Sequence, residues 1–398
     1  MTQGGAISLD NLRERARRRV PRIFFDYADG GALRETALRR NRQALDAVRL
    51  WPRAPRDVSA CDTSVEVFGE TLPMPLAIAP IGLADLVWPG MDMKLASGAA
   101  AGGIPHILST AASTTIEDVA AQAGAHRWFQ LYTSTDPAIT DDLLSRAAAA
   151  GYRVLVVTVD VAAPGRRYRD LANGFRLPMA MGPAFWAQLA RCPAWALAAL
   201  GRPVPRIVNL ERYAPESGAQ SLAAFMAAQI SASVDLDAIR RMRARWSGPL
   251  VVKGVMHPDD AVALADIGVD GVIVSNHGGR QLDAAPAAIE VLPHIAAAAG
   301  ARLTIIADGG VRSGEDIARM LACGARMVLA GRPFLWSVAA TGGAGAVLEI
   351  LRDEFRRALG QIGCPRASDL GSDHVVAAHR CGTATPGRAD QPCTCATV

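Results

Sequence analysis

The chain has no dense block of one charge, no paired cysteine motif and no apolar run long enough to cross a bilayer. Its 42 basic and 38 acidic residues leave a net charge of only +4 over 398 residues. A nucleic-acid binder needs a denser basic surface, so that class is excluded. The one concentrated basic stretch, Arg13 to Arg22, reads as the solvated face of an N-terminal helix. The other reading is attraction to an anionic membrane surface. The seven cysteines are odd in number and irregularly spaced, and Cys393 and Cys395 form C-x-C, which does not match a paired zinc motif. The first twenty residues hold no apolar run suited to a signal peptide, so a reducing cytosolic setting is expected. With 50% hydrophobic and 20% charged residues, the chain is not disordered, and its 37 glycines and 24 prolines follow no triplet period. One large α/β domain or two domains remain.

Eight short apolar runs emerge once Gly, Pro and charged clusters are taken as punctuation. They are Met74–Pro80, Ile104–Thr110, Arg127–Tyr132, Val154–Asp160, Leu250–Val255, Gly271–His277, Thr304–Asp308 and Met327–Gly331. Most are continuous rather than alternating, the habit of parallel strands buried on both faces. Ala-rich, helix-like stretches lie between most of them, among them Thr115–Ala123, Ile139–Ala150, Pro258–Ile267, Ala287–Ala299 and Gly314–Cys323. Strand and helix alternating eight times predict an α/β (β/α)8 TIM barrel. An open doubly wound sheet is the alternative, but no G-x-G-x-x-G follows the first strand.

One interval breaks the rhythm. Nearly eighty residues, Leu171 to Pro249, separate the fourth and fifth strands, which is too long for an idle loop. No acid occurs between Asp170 and Glu211, and Leu177 to Ala190 carries no charge at all. Trp186 and Trp195 sit there among Arg191, Arg202 and Arg206, interrupted by Pro193, Pro203 and Pro205. The uncharged run is shorter than the ~18 residues of a spanning helix. Trp and Arg without acids suit a segment lying in a membrane interface. A lid or an oligomer contact is the competing reading.

Reactive groups of such a barrel sit at the carboxyl ends of its strands. Here every strand ends in polar or Gly residues: A-P-I-G (Ala79–Gly82), S-T (Ser109–Thr110), Q-L-Y (Gln130–Tyr132), T-V-D (Thr158–Asp160), V-K-G (Val252–Gly254), S-N-H-G-G-R (Ser275–Arg280), D-G-G-V-R-S-G (Asp308–Gly314) and G-R-P (Gly331–Pro333). The last two combine flexible backbone N–H donors with Arg312 and Arg332 after strands seven and eight, the usual phosphate site of the fold. Lys253 ends an apolar strand and needs an anion, either a phosphate or the N1–O2 edge of a reduced flavin. His277 can take a proton near neutral pH, Arg280 can hold a carboxylate in bidentate fashion, and Asp160 can stabilise the imidazolium. A base, an anion clamp and an orienting acid fit proton abstraction beside a carboxylate. No nucleophile elbow and no His/Glu metal spacing competes, so no metal is expected.

S-N-H-G-G-R-Q-L-D (Ser275–Asp283), F-D-Y-A-D-G-G-A (Phe25–Ala32), W-F-Q-L-Y (Trp128–Tyr132) and the phosphate motifs together resemble the FMN-dependent L-2-hydroxy acid oxidising family. The resemblance runs from about Leu9 to Leu370. It implies FMN as cofactor, with His277 as the active-site base paired to Asp160. It implies that Arg280, Arg167 and the Tyr27 hydroxyl bind the substrate carboxylate and that Tyr132 contacts the substrate and helps the oxidation step. It also implies a flavin against the backbone of Ala79, Pro80 and Gly82, with its ring edge at Ser109, Gln130, Thr158, Lys253 and Ser275. Its ribityl chain would lie on Asp308 and its phosphate on Gly310, Arg312, Gly331 and Arg332. Gly82, where oxygen-using members tend to carry Ala, resembles the dehydrogenases, which pass electrons to a quinone or another carrier. The alternative is a soluble oxidase that makes peroxide from O2. Leu177–Arg206 resembles the membrane-binding segment of the mandelate and lactate dehydrogenases. Small Ala111 and Ala112 leave room for an aryl substrate. Mandelate-like substrates therefore lead slightly over lactate. The expected organisation is one domain over 1–370, with its barrel at about 74–340, an N-terminal helical cap, a membrane-type insertion at about 177–215 and a poorly ordered tail at 371–398. A homotetramer, peripheral on the cytoplasmic face of the inner membrane, is implied as well.

Overall fold

A computed structural model describes residues 7–176, 182–213 and 234–376. Ten strands are present among them. β1 (Val65–Val67) and β2 (Glu70–Leu72) form an antiparallel hairpin, and β3 (Leu76–Ile78), β4 (His106–Ser109), β5 (Arg127–Leu131), β6 (Val154–Thr158), β7 (Leu250–Val255), β8 (Gly271–Val274), β9 (Thr304–Ala307) and β10 (Met327–Ala330) close into a parallel barrel. Each barrel strand falls inside one of the eight apolar runs. Closure is completed by β10 pairing with β3, Val328 opposite Leu76. An open sheet is thereby excluded.

The continuous apolar runs have the physical cause expected of them. Ala77, Ile107, Val156, Val251, Ile273, Ile306 and Leu329 point inward and pack together, while their strand neighbours Ile78, Leu108, Val157 and Val252 pack outward against the helices. Both faces are therefore dry. Pro258–Asp266, Ala288–Ala299 and Gly314–Ala322 are helices, each within two residues of the expected bounds. Asp235, His257 and Ser313 cap their helices by accepting a backbone N–H, at Ala238, Asp259 and Asp316 respectively.

The hairpin is absent from the sequence reading. It plugs the end of the barrel opposite the reactive rim: Val65, Val67 and Leu72 join the inner cluster, and Phe68 lies 5.6 Å from Trp128 at the start of β5. Its two-residue turn, Phe68–Gly69, has positive φ at both positions, which suits a tight hairpin. The alternation in V-E-V-F-G-E-T-L was the signal for it.

Helices Leu9–Arg19, Arg22–Asp29 and Thr36–Ala47 form the expected N-terminal cap. The basic stretch is not wholly solvated, because Arg13 pairs with Asp29 at 2.7 Å and Arg19 donates to Ala339 O and lies over the Trp88 ring. Arg17 and Arg18 pair with Glu14 on the surface.

Of the insertion, 182–213 is described, whereas 177–181 and 214–215 lie outside the described residues. Helices Pro183–Ala190 and Pro193–Ala199 pack on the cap: Trp195 stacks on Phe24 at 5.1 Å and donates to Val87 O, and Ile23 N donates to Gln188 Oε1. Residues 371–376 differ from the loose tail expected. They form a 3-10 turn and an antiparallel bridge from Val375 to Leu50, with His374 buried. The remainder of that tail, 377–398, lies outside the described residues.

Candidate active site

At the carboxyl ends of the barrel strands, beneath the cap, is a cavity of about 320 Å³. Its floor is the backbone of Ala79, Pro80 and Gly82 after β3, and its flanks carry Thr158, Lys253 and Asp308. Gly310, Arg312, Gly331 and Arg332 lie at one end, and Tyr27, Tyr132, Arg167, His277 and Arg280 face the same space. Of the residues picked from the sequence, Ser109, Gln130, Ser275 and Asp160 do not line it. The first three are buried beneath the lining, where Ser109 Oγ donates to Gln130 Oε1 at 2.9 Å and Lys253 Nζ donates to Ser275 Oγ at 2.8 Å. Asp160 stands behind His277.

His277 leaves the end of β8 with φ of +57°, a left-handed conformation that is rare for a residue with a side chain. Strain of this kind persists only where the surroundings enforce it. Here Ser275 Oγ accepts from His277 N at 3.0 Å, and Nδ1 lies 2.9 and 3.1 Å from the two Asp160 oxygens. Burial works against ionisation of Asp160, but Lys253 and His277 outweigh it and hold the carboxyl below its usual range. Burial, and then the Lys253 charge, hold His277 below its usual value although Asp160 pulls the other way. The ring is therefore neutral at pH 7, with Nδ1 donating to Asp160 and Nε2 left as a base. Asp160 packs closely on Gly254, where β7 shifts register and φ is +105°. A side chain at Gly254 would meet Asp160 Cβ at 2.6 Å.

Tyr27 is the common neighbour of two cations, with Arg280 5.2 Å and Arg167 5.7 Å from its ring centroid. Its hydroxyl donates to Gly82 O at 2.9 Å, which fixes the cap to the first strand end. Arg280 donates to the carbonyls of Tyr27 and Gly30, and Arg167 pairs with Asp170 at 2.7 Å. Burial and then Arg167 depress Arg280 below its usual value. Burial and neighbouring arginines likewise push Arg312 down to about 10 and Arg332 down to about 9. Among the described residues lining the cavity, Asp308 is the one carboxylate facing Lys253 and these four arginines. Buried cations in excess are costly unless anions join them. The cavity is built for anionic ligands.

FMN fits this donor set. Gln130 Nε2, Thr158 Oγ1 and Asp308 Oδ1 are buried polar atoms without a protein partner. Such atoms are rare unless a ligand or water satisfies them. A ring edge rich in donors and acceptors, a hydroxylated chain and a phosphate supply what these atoms and the arginines lack.

Several residues of the site were not picked from the sequence. Gln281 lines the cavity one position beyond Arg280, inside the very motif that was quoted. Asn41 and Asn276 exchange amide hydrogen bonds at 2.9 and 2.8 Å and lock the cap to the His277 loop. Arg42 bridges Gly310 O and the fully buried Asp316, which also accepts from Arg312 N at 2.7 Å. The contacts of Asn41 and Arg42 span more than two hundred residues, and no local pattern announces them.

Residues 16–377 match the family described as FMN-dependent dehydrogenase. An L-lactate dehydrogenase of Caulobacter vibrioides is 44% identical over 361 residues, covering 89% of this chain and 94% of that enzyme. An L-lactate dehydrogenase of Pseudomonas aeruginosa is 39% identical over 371 residues, 92% and 97% of the two chains. Among solved structures, the monotopic membrane protein (S)-mandelate dehydrogenase superimposes with a TM-score of 0.89 at 38% identity, covering 94% of this chain and all of that one. With its fold, its anion-hungry cavity and these relatives in agreement, the chain belongs to the FMN-dependent dehydrogenase family.

Proposed function

We propose that the protein oxidises an (S)-2-hydroxy acid to the 2-oxo acid and passes the electrons to a quinone or another carrier. The observation that carries this reading is His277, backed by Asp160, facing one cavity with Arg280 and Arg167. Arg280 and Arg167 hold the substrate carboxylate, aided by the Tyr27 hydroxyl once its proton turns from Gly82 O, and Tyr132 contacts the substrate and helps the oxidation step. His277 Nε2 takes a proton, either from the α-carbon or from the hydroxyl. Asp160 stabilises the imidazolium that results, and burial keeps the base neutral beforehand. The substrate loses two electrons and two protons in all, whichever leaves first. When bound, FMN supplies the acceptor for that electron pair. Ala79, Pro80, Gly82, Ser109, Gln130, Thr158, Lys253 and Ser275 would hold its ring, Asp308 its ribityl chain, and Gly310, Arg312, Gly331 and Arg332 its phosphate.

Small Ala111 lines the cavity wall beside Gly82, leaving space for an aryl group, whereas Ala112 is fully buried and does not line it. Mandelate-like acids are therefore placed ahead of lactate. Anaerobic mixing with mandelate, 4-hydroxymandelate, lactate and glycolate, followed by a quinone analogue or O2, reads both substrate and acceptor from the flavin colour. His277→Ala should stay yellow yet fail to bleach; near-normal bleaching would remove His277 from the role of base.

The chain acts as one domain, 1–370, peripheral on the cytoplasmic face of the inner membrane, as a homotetramer. No described helix is long and apolar enough to cross a membrane. What supports the surface reading is the insertion, where Trp186, Leu197, Leu200 and Val204 are more than half exposed beside Arg191 and Arg206. Membrane fractionation and light scattering test the two claims separately.

A further inference from the structure

We propose that Gln281 is a positioning residue for this oxidation, a strap that holds the Asp160–Arg167 loop against the His277–Arg280 loop. The inference rests on the function proposed above. Its side-chain Nε2 donates to Asp160 O at 3.0 Å, and its Oε1 accepts from Gly165 N at 2.8 Å. A backbone N–H can only donate and a carbonyl can only accept, so these two partners fix the orientation of the amide.

The loop it grips has little else to hold it. β6 ends at Thr158 and the next helix begins at Tyr168, with no regular structure between. Asp160 therefore sits beyond the last strand residue, and Arg167 precedes the first helical one. The N-terminal cap ties it by Leu33 N to Arg166 O at 2.8 Å and by the Tyr27 ring 5.7 Å from Arg167, and β7 holds its first residue through Val159 N to Lys253 O at 3.0 Å. From the His277 side, the ties are the imidazole–carboxylate bond and the two bonds of Gln281. The approach is close at backbone level. A Cβ on Gly165 would lie 2.1 Å from Arg280 O and 2.9 Å from Gln281 Cα. No side chain intervenes, and the spacing of the loops is set where Gln281 bridges them.

Each arm of the amide has its own consequence. The Nε2 arm fixes the backbone that carries the Asp160 carboxylate and hence the imidazole it orients. The Oε1 arm fixes the approach to Arg167, which faces the substrate carboxylate. Only an amide of this length offers one donor and one acceptor at the required separation. Glutamate retains the acceptor and loses the donor, and methionine loses both.

The test uses FMN-loaded full-length protein with Gln281→Met and Gln281→Glu, read by anaerobic flavin bleaching against substrate concentration. Gln281→Met is expected to keep FMN and its melting temperature. Its limiting bleaching rate should fall by roughly tenfold to a hundredfold, the scale of an ångström misplacement, and its substrate dissociation constant should rise several-fold. Gln281→Glu should restore the dissociation constant but not the rate. A Gln281→Met protein that bleaches at the wild-type rate overturns the strap. A rate loss matched by FMN loss or by a lowered melting temperature overturns it as well, since Gln281 would then be a residue of the fold. Wild-type protein that no 2-hydroxy acid bleaches overturns the functional reading and this inference with it, an outcome distinct from the other two.

Discussion

His277 and Asp160 come from strand ends 117 residues apart, yet the imidazole Nδ1 lies within 3.1 Å of both carboxylate oxygens. The carboxylate is an acceptor only, so the proton resides on Nδ1 and the lone pair on Nε2. Asp160→Asn keeps the shape but can present an N–H to Nδ1 and favour the wrong tautomer. The bleaching rate should drop by roughly two to four orders of magnitude, in line with loss of an orienting acid in other His-based sites. The pH dependence has a definite sign. Burial and Lys253 already hold His277 below its usual value, so the wild-type rate should rise with pH along a limb centred below about 6.5. Asp160 is what pulls that value upward, so the limb should move to still lower pH in the variant. A limb that stays put or moves upward contradicts the pairing.

Arg312 stacks 4.5 Å over the Trp336 ring, and its backbone N–H is spent on Asp316. Burial and neighbouring arginines push its guanidinium down to about 10, the mark of a cation awaiting an anion. Arg312→Met should weaken FMN binding by roughly tenfold to a hundredfold, the equivalent of one charge-assisted hydrogen bond. Flavin fluorescence titration of stripped protein measures it. Inorganic phosphate should raise the melting temperature of stripped wild-type protein and fail to do so in the variant. Equal phosphate stabilisation in both would place the phosphate elsewhere.

How much of this site could be read from the sequence follows from how each residue is fixed. His277, Arg280, Lys253 and Asp308 were legible because a buried parallel strand tolerates only apolar residues, so a charge at its end stands out. All eight barrel strands were legible for the same reason. The hairpin went unread although V-E-V-F-G-E-T-L alternates, because its three-residue strands are slight beside the louder barrel runs. Asn41 and Arg42 were invisible because their partners are remote in the chain. Gln281 lay in plain view within the quoted motif, but a single amide has no signature until the loop it grips is placed. Residues 371–376 read as loose on composition, whereas backbone bonds to Arg49 and Trp51 hold them.

Gly82 faces Ala111 so closely that an added Cβ would lie 3.0 Å from the alanine Cβ. Gly82→Ala must therefore push Ala111 outward or narrow the cavity. One methyl in a pocket wall is worth on the order of tenfold in discrimination. The ratio of kcat/KM for mandelate to that for lactate should fall by about that factor. An unchanged ratio would mean that the aryl group does not lie along this wall.

Leu197 and Leu200 are 72% and 79% exposed at the end of helix Pro193–Ala199, whereas Trp195 on the same helix is buried against Phe24. The helix thus has an anchored face and a free apolar one. Leu197→Glu with Leu200→Glu should abolish sedimentation with anionic vesicles and leave flavin bleaching unchanged, because both residues are remote from the cavity lining. Trp195→Ala differs in kind. It removes a stacked, hydrogen-bonded core residue and should cost about 3–5 kcal/mol of stability. Wild-type protein that ignores vesicles would refute the membrane reading, whatever the variants do.

Asp92 is buried with its carboxylate accepting from Ser113 N at 2.8 Å and Thr114 N at 3.2 Å, directly behind the Ala111–Ala112 turn. Burial, and then the nearby Asp85 carboxylate, hold its proton well above the usual carboxylate range. The folded protein thus keeps a proton that the unfolded chain gives up near pH 4. Linkage fixes the sign: stability is greatest below about pH 4 and declines as pH rises toward the folded value of about 8. Asp92→Asn mimics the neutral acid, retains an acceptor for the two N–H groups and has no proton to lose. Its melting temperature should match wild type at about pH 4 and below and exceed it by a widening margin toward pH 8. A margin that is constant with pH would mean that Asp92 is ionised in the fold, and that the two N–H donors outweigh both its burial and Asp85.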